Sequence, residues 1–344
     1  MTEKVNLAAS VLARLLKKAK AGGDDYQTLL AAYCFERFLY RLGVSPLHDR
    51  FVLKGAMLLR LWANQPYRAT RDLDLLRRGD GSFDAIRADL QLIAAIPVPP
   101  DAVEFDGNAI RISAIRAQDE YAGTRAVLPA RCGSARLDLQ IDMGLGDAVW
   151  PAPDRRVYPS LLEFPEPDVF AYPREAVVAE KLEALVVLGD RNSRIKDFFD
   201  LQYLASHFEF DRVRLTEAVG RTFARRGTPI PTREPIGLTP SYWDNPSRPN
   251  QVRAFARRSG LEVPDNPGRD FVKLLGDFLL PLFADLNEGA RREGTWPAGG
   301  PWQLVRPNRN FSPRRKPGCA MATRSTFAMS ESPGQTGFDC GVRS

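Results

Sequence analysis

The sequence predicts an α+β fold, a small mixed-sheet core with N-terminal helices before it and a C-terminal helical region after it. Three observations carry this expectation. Residues 51–76, FVLKGAMLLRLWANQPYRATRDLDLL, read as an apolar strand, a tight Lys54-Gly55-Ala56 turn, an apolar helix and a second strand. Residues 135–147, ARLDLQIDMGLGD, alternate apolar and polar positions at strand spacing. Residues 174–188 and 194–208 place apolar side chains at helical spacing. The chain divides into an N-terminal helical segment (1–48), a core (49–150), a mainly helical region (151–305) and a basic tail (306–344) expected to be disordered.

The 344 residues suffice to bury a full core, and 44% hydrophobic with 26% charged residues is ordinary for a soluble globular chain. No run approaches the roughly 20 apolar residues that span a bilayer, and the N-terminus lacks a signal-peptide apolar region. No membrane association is expected. Cys34, Cys132, Cys319 and Cys340 have neither metal-site nor disulfide-framework spacing, which points to a reducing cytoplasm. The net charge of +6 sits mostly in the tail, where seven Lys/Arg face two acidic residues; the preceding 305 residues hold 41 basic against 40 acidic. The basic balance therefore describes the tail and not a basic face.

Taken in order, Asn6 can cap a first helix that Gly22-Gly23 ends, and a second runs from about Tyr26 to Leu42. Its Glu36-Arg37 pair and aromatic residues read as packing and solvation, and His48 as a surface residue in a polar turn. In the second strand of the 51–76 stretch, Asp72 and Asp74 share one face and Leu73 and Leu75 the other. Two carboxylates so close repel unless a cation sits between them, and Mg²⁺ favours one or two carboxylates plus phosphate oxygens. The Gly55 turn, at a helix N-terminus, suits an anion. The competing reading is an ordinary half-buried strand with a solvated acidic face.

Phe83 to Ile96 follows as an amphipathic helix, then strand-like segments at 102–105, 110–117 and 125–129. In 135–147, Leu137, Leu139, Ile141 and Met143 share one face, with Asp138, Gln140 and Asp142 on the other. Residues 148–173 are proline-rich and read as an extended connector. In the helix at 174–188, Lys181 lies at the edge of the apolar stripe, where it can snorkel or hold an anion, while Glu180 and Glu183 point away. Asp197 and Asp200 fall in the first turns of the next helix, where compensation of the helix dipole explains them. Arg221, Arg225 and Arg226 form either a solvated face or an acceptor-contact patch, and closing helices follow around 251–258 and 271–286.

Lys54-Gly55-Ala56 followed by Arg68-Ala69-Thr70-Arg71-Asp72-Leu73-Asp74-Leu75 resembles the first motif of the AbiEii-type toxins, minimal nucleotidyltransferases of the polymerase-β-like superfamily. Ile141 to Asp147 resembles that family's I-D-x-G-x-G-D segment, A-E-K-L-x-A-L at 179–185 and R-x-K-D-x-x-D-L at 194–201 resemble its later motifs, and TWPAGGPW at 295–302 the end of a subgroup. The resemblance spans about residues 6–304. It implies a nucleotidyltransferase core whose metal carboxylates are Asp72, Asp74 and a third, with Asp142 first, Asp138 second and Asp147 last in order of claim. It further implies that Lys181 binds the nucleoside triphosphate (NTP), that Asp197 is an essential acidic residue, and that Arg191, Arg194 and Lys196 are nearby cations for phosphate or RNA, while Asp200 supports the helix packing. The sequence departs at Ala56, where many relatives have a phosphate-touching serine; Lys54, Gly55, Ala56 backbone N–H groups or Thr70 would take over that contact.

The resulting expectation is an Mg²⁺-dependent transfer of a nucleoside monophosphate from an NTP to an acceptor hydroxyl, on tRNA or on a protein. Its setting would be the toxin of a bacterial toxin–antitoxin or abortive-infection system with a cognate antitoxin. Two rivals stand beside it. A non-catalytic GTP- or other nucleotide-binding toxin or interaction module would suit the missing serine; a phosphohydrolase or glycosyltransferase would use the Asp72/Asp74 pair but leave Gly55, Asp142 and Lys181 without roles.

Overall fold

A computed structural model of the chain describes residues 2–63, 70–115, 123–146 and 149–305. The expected disordered tail, the Arg68-Ala69 part of the first motif and Asp147 lie outside the described residues. Residues 1–305 form one compact unit. The N-terminal helices are α1 (Thr2–Gly22) and α2 (Tyr26–Val44). α1 begins at Thr2, so Asn6 lies within it and does not cap it. α2 is capped by Asp25, whose carboxylate accepts from the Thr28 N–H, and it is buried nearly all round. Glu36 and Arg37 therefore form a buried ion pair at 2.6 Å, joined by the Ser160 hydroxyl, and do not solvate the helix. His48 is half-buried and stacks on Phe170, which corrects its reading as a surface residue.

The core contains β1 (Phe51–Lys54), α3 (Met57–Ala63), β2 (Asp72–Arg77), α4 (Phe83–Ala95), β3 (Val103–Phe105), β4 (Arg111–Ile115), β5 (Gly123–Cys132) and β6 (Ala135–Leu145). The proline-rich connector adds β7 (Asp154–Val157) and β8 (Asp168–Ala171), which the sequence reading left as extended chain. β8 supplies Val169 and Ala171 to the core at period 2 between prolines, too short a signal to separate from a linker. All eight strands join one mixed sheet in the order β3-β5-β6-β2-β1-β8-β7, with β4 on β5. β1 runs antiparallel to β2 and parallel to β8, while β2 and β6 are parallel. Leu73 and Leu75 from β2, and Leu139, Ile141 and Met143 from β6, are buried on one face, as their alternation predicts. Burying each such side chain stabilises the fold by about 1.5–3 kcal/mol.

The helical region contains α5 (Arg174–Leu188), α6 (Ile195–His207), α7 (Arg212–Arg226), α8 (Pro240–Trp243), α9 (Arg248–Ser259) and α10 (Pro267–Glu288). A small sheet of β9 (Phe210–Asp211), β10 (Gly294–Trp296) and β11 (Gln303–Leu304) closes it. Phe198 sits in an aromatic cluster with Tyr242, Trp243 and Phe271 that ties α6 to α8 and α10. Among the described residues no helix is long and apolar enough to cross a membrane.

Candidate active site

Strand register assembles the site before any side chain is considered. Lys54 on β1 stands opposite Asp74 on β2, Asp74 opposite Asp142 on β6, and Asp142 opposite Arg125 on β5. Directly opposed residues present their side chains to the same face. The result is a row of four charges across four strands, cationic at both ends and anionic in the middle. One carboxylate oxygen each from Asp72, Asp74 and Asp142 lies within 4.8 Å of the others. Asp138, the second choice for a third carboxylate, lies four residues back along β6 and pairs with Arg111 at 2.7 Å in solvent.

The turn after β1 is shaped around Asp74. Gly55 has φ +72°, and a Cβ at this position would lie 1.9 Å from Asp74 Oδ2 and 2.6 Å from Asp74 Cβ. Only glycine meets both demands. Burial pushes the Asp74 carboxyl up to about 6, aided by the neighbouring Asp72 and Asp142 charges and opposed by Lys196 and Lys54. The three carboxylates therefore hold negative charge that the protein does not fully compensate. The all-oxygen set and the open space beside it fit Mg²⁺, which takes a few carboxylates and completes its shell with phosphate oxygens and water. Thr70 donates its hydroxyl to Asp72 Oδ1 at 2.6 Å, so it orients that carboxylate.

Asp74 and Asp142 face a cavity of about 930 Å³ whose opposite wall is made by α5, α6 and α7. Lys54, Gly55, Ala56, Asp74, Asp142 and Lys181 all line it. Asp197 sits behind that lining and is 1% exposed. Lys181 Nζ contacts Asp197 Oδ1 at 2.5 Å and Asp200 Oδ2 at 2.8 Å, and Arg194 Nε contacts Asp197 Oδ2 at 2.7 Å. Burial raises the Asp197 carboxyl, but the Lys181 and Arg194 cations outweigh it and hold it below the ordinary range. Two cations and two carboxylates thus nearly cancel. Arg191 and Lys196 also line the cavity, are exposed, and form no salt bridge among the described residues.

Several residues differ from their sequence reading. Glu180 and Glu183 do not point away: Glu183 is 2% exposed and accepts from Arg226 at 2.8 Å and from the Thr228 hydroxyl at 2.5 Å. Glu180 Oε2 lies 3.3 Å from Lys54 Nζ. The cause is that α7 packs along α5 and covers the face that a helical wheel leaves to solvent. Arg226 is accordingly half-buried against α5, whereas Arg225, which donates to the Gly146 carbonyl at 2.7 Å, and Arg221, which pairs with Glu217, are exposed. Asp200, 1% exposed, pairs with Lys181 at 2.8 Å. Arg125 escaped the sequence reading because nothing in T-R-A-V marks its register with Asp142.

The fold and the carboxylate row define an α+β protein with an acidic site at the floor of a cation-lined cleft. The chain belongs to the AbiEii nucleotidyl transferase toxin family of the type IV toxin–antitoxin systems, whose profile it matches over residues 37–278. Two solved structures are similar to it. JHP933 from Helicobacter pylori shares 13% identity over 77% of this chain and 95% of its own, with a TM-score of 0.41. A second H. pylori chain, provisionally described as a nucleotidyltransferase, shares 14% identity over 77% of this chain and 98% of its own, also with a TM-score of 0.41. No curated protein matches the chain.

Proposed function

We propose that this chain is an Mg²⁺-dependent nucleotidyltransferase toxin that moves a nucleoside monophosphate from an NTP to an acceptor hydroxyl. The observation that carries the reading is the convergence of the Asp72, Asp74 and Asp142 oxygens within 4.8 Å, with Asp74 and Asp142 lining a cavity that also holds cations, in a chain of this family. These three carboxylates would hold the cation. When bound, Mg²⁺ supplies positive charge to the attacked phosphate and to the departing pyrophosphate oxygens.

The acceptor oxygen forms a bond to the α-phosphorus while the bond to the bridging oxygen breaks, and pyrophosphate leaves with that electron pair. The hydroxyl proton departs toward Asp142. Lys54, the Gly55-Ala56 turn and Lys181 hold the triphosphate, with Arg191 and Lys196 as further cations on the same wall. Asp197 fixes Lys181 in place. Thr70 positions Asp72. The core of 49–150 carries the chemistry and the helical region of 151–305 closes over it. The setting is the cytoplasm of a bacterium that also encodes the antitoxin, and the acceptor is a tRNA 3′ end or a protein hydroxyl.

A second reading, nucleotide binding without transfer, has two observations in its favour. Lys181 is engaged by two buried carboxylates, and Ala56 offers no hydroxyl. Incubation with each α-³²P-labelled NTP, Mg²⁺ and total bacterial RNA and protein separates the two. Label entering an acceptor with the native chain, and not with Asp72→Ala, supports transfer. NTP binding with no label moved replaces it with the binding reading.

A further inference from the structure

The three carboxylates are not equally available to a cation. Among the described residues no hydrogen-bond donor reaches Asp74, and Asp72 receives the neutral Thr70 hydroxyl. Asp142 receives a charged fork. Arg125 Nε donates to Oδ1 and Nη2 to Oδ2, both at 2.8 Å, and Gln140 Nε2 adds a contact to Oδ2 at 3.2 Å. Strand register fixes this pairing, since Arg125 and Asp142 are direct partners on β5 and β6. A guanidinium across both oxygens is the tightest way a side chain can engage a carboxylate. A dication approaching those oxygens meets like charge. The Arg125 side chain is 42% exposed and lines the same cavity as Asp74 and Asp142.

From this geometry we infer that Arg125 is an internal competitor of the divalent cation for Asp142, so that the cation enters the site with the triphosphate and not ahead of it. The inference rests on the triad being the metal site. Without substrate, Arg125 occupies Asp142 and the remaining pair offers only a weak site. Phosphate oxygens entering the cavity give the guanidinium a second acceptor of matching fork geometry. Arg125 then exchanges Asp142 for phosphate, and Asp142 turns to the cation. No covalent step is involved. Arg125 is thus a positioning residue whose partner changes with the ligand, and Gln140 keeps Asp142 aligned through the exchange.

The test measures binding and not turnover. Mn²⁺, read by the loss of its free electron paramagnetic resonance signal, is titrated into the full chain alone and as its complex with inorganic triphosphate, which avoids any choice of base. The variants are Arg125→Met, Arg125→Lys and Asp72→Ala. Removing the guanidinium is expected to tighten binding of bare Mn²⁺ by about tenfold, the effect of roughly one pKa unit of charge competition, and to weaken binding of the Mn²⁺–triphosphate complex. Arg125→Lys, which keeps the charge but not the fork, falls between the two and guards against loss of folding in the methionine variant. A merely structural arginine would weaken both binding events together. If Arg125→Met binds bare Mn²⁺ no tighter than the native chain while Asp72→Ala abolishes that binding, the competition is wrong and the triad site stands. If Asp72→Ala leaves Mn²⁺ binding unchanged, the triad itself is not the metal site and both fall.

Discussion

Gly55 leaves room for Asp74: a Cβ at Gly55 would lie 1.9 Å from Oδ2 of the carboxylate that Asp74 offers to the cavity. The relation couples a backbone conformation, φ +72°, to the position of one putting of charge on β2. Gly55→Ala must therefore displace Asp74 or the turn. Left-handed strain alone costs about 1–2 kcal/mol, and displacement of the proposed metal carboxylate is expected to add a loss of transfer of roughly a hundredfold or more. Thermal unfolding and kcat/KM measured on the same preparation separate the two contributions.

The raised Asp74 carboxyl sets a pH dependence. Its folded value of about 6 lies above the ordinary 3.8, so the metal-free folded chain binds this proton more tightly than the unfolded chain does. Between those values the group's contribution falls as pH rises, and at pH 7 the ionised carboxylate destabilises the metal-free fold. Asp74→Asn is expected to raise the Tm of the metal-free protein at pH 7, with little change below pH 4. The same proton must leave before a cation binds, so Mg²⁺ affinity of the native chain should fall as pH drops below about 6. Calorimetric titrations at pH 5, 6, 7 and 8 would show this; a flat affinity across that range contradicts it.

Lys181 has a structural duty alongside any part in catalysis. Its ammonium neutralises Asp197 and Asp200, each 1% exposed. Lys181→Met strands buried carboxylates, and breaking a buried pair this way costs about 3–5 kcal/mol. Lys181→Met combined with Asp200→Asn should recover much of the unfolding midpoint in denaturant without recovering transfer. Recovery of both would remove Lys181 from the triphosphate site.

Thr70 offers a smaller perturbation. Thr70→Val keeps the shape and removes the 2.6 Å hydrogen bond to Asp72. Partners that orient a metal ligand are worth about 10–100-fold in affinity. Weaker Mn²⁺ binding with an unchanged Tm is expected, and unchanged Mn²⁺ affinity would show that Asp72 is held by other means.

Much of this site is legible in the linear sequence because it is built from local geometry. Period-2 alternation places Asp72 with Asp74, and Asp142 opposite the buried Leu139, Ile141 and Met143. The Gly55 turn is equally local. What the sequence hid depends on which strand lies beside which. Arg125 meets Asp142 only through the β5–β6 register, and Glu183 is buried only because α7 covers α5. The engagement of Lys181 by Asp197 and Asp200 joins two helices across 16 and 19 positions, which a helical wheel cannot see. β7 and β8 were missed because four-residue strands between prolines leave too short a pattern.

β8 has a consequence for how the chain can be divided. It lies against β1 on the side away from β2, and the Tyr172 N–H just beyond it donates to the Leu53 carbonyl at 3.0 Å. From there the chain passes through Pro173 directly into α5. A fragment ending near Trp150 would leave the backbone of β1, the strand that carries Lys54, as a raw hydrogen-bonding edge open to other chains. The piece beginning after it would carry an orphan strand with no sheet to join. Two halves expressed apart should therefore be insoluble singly and regain solubility only when produced together, as a split protein whose reassembly also rebuilds the cleft.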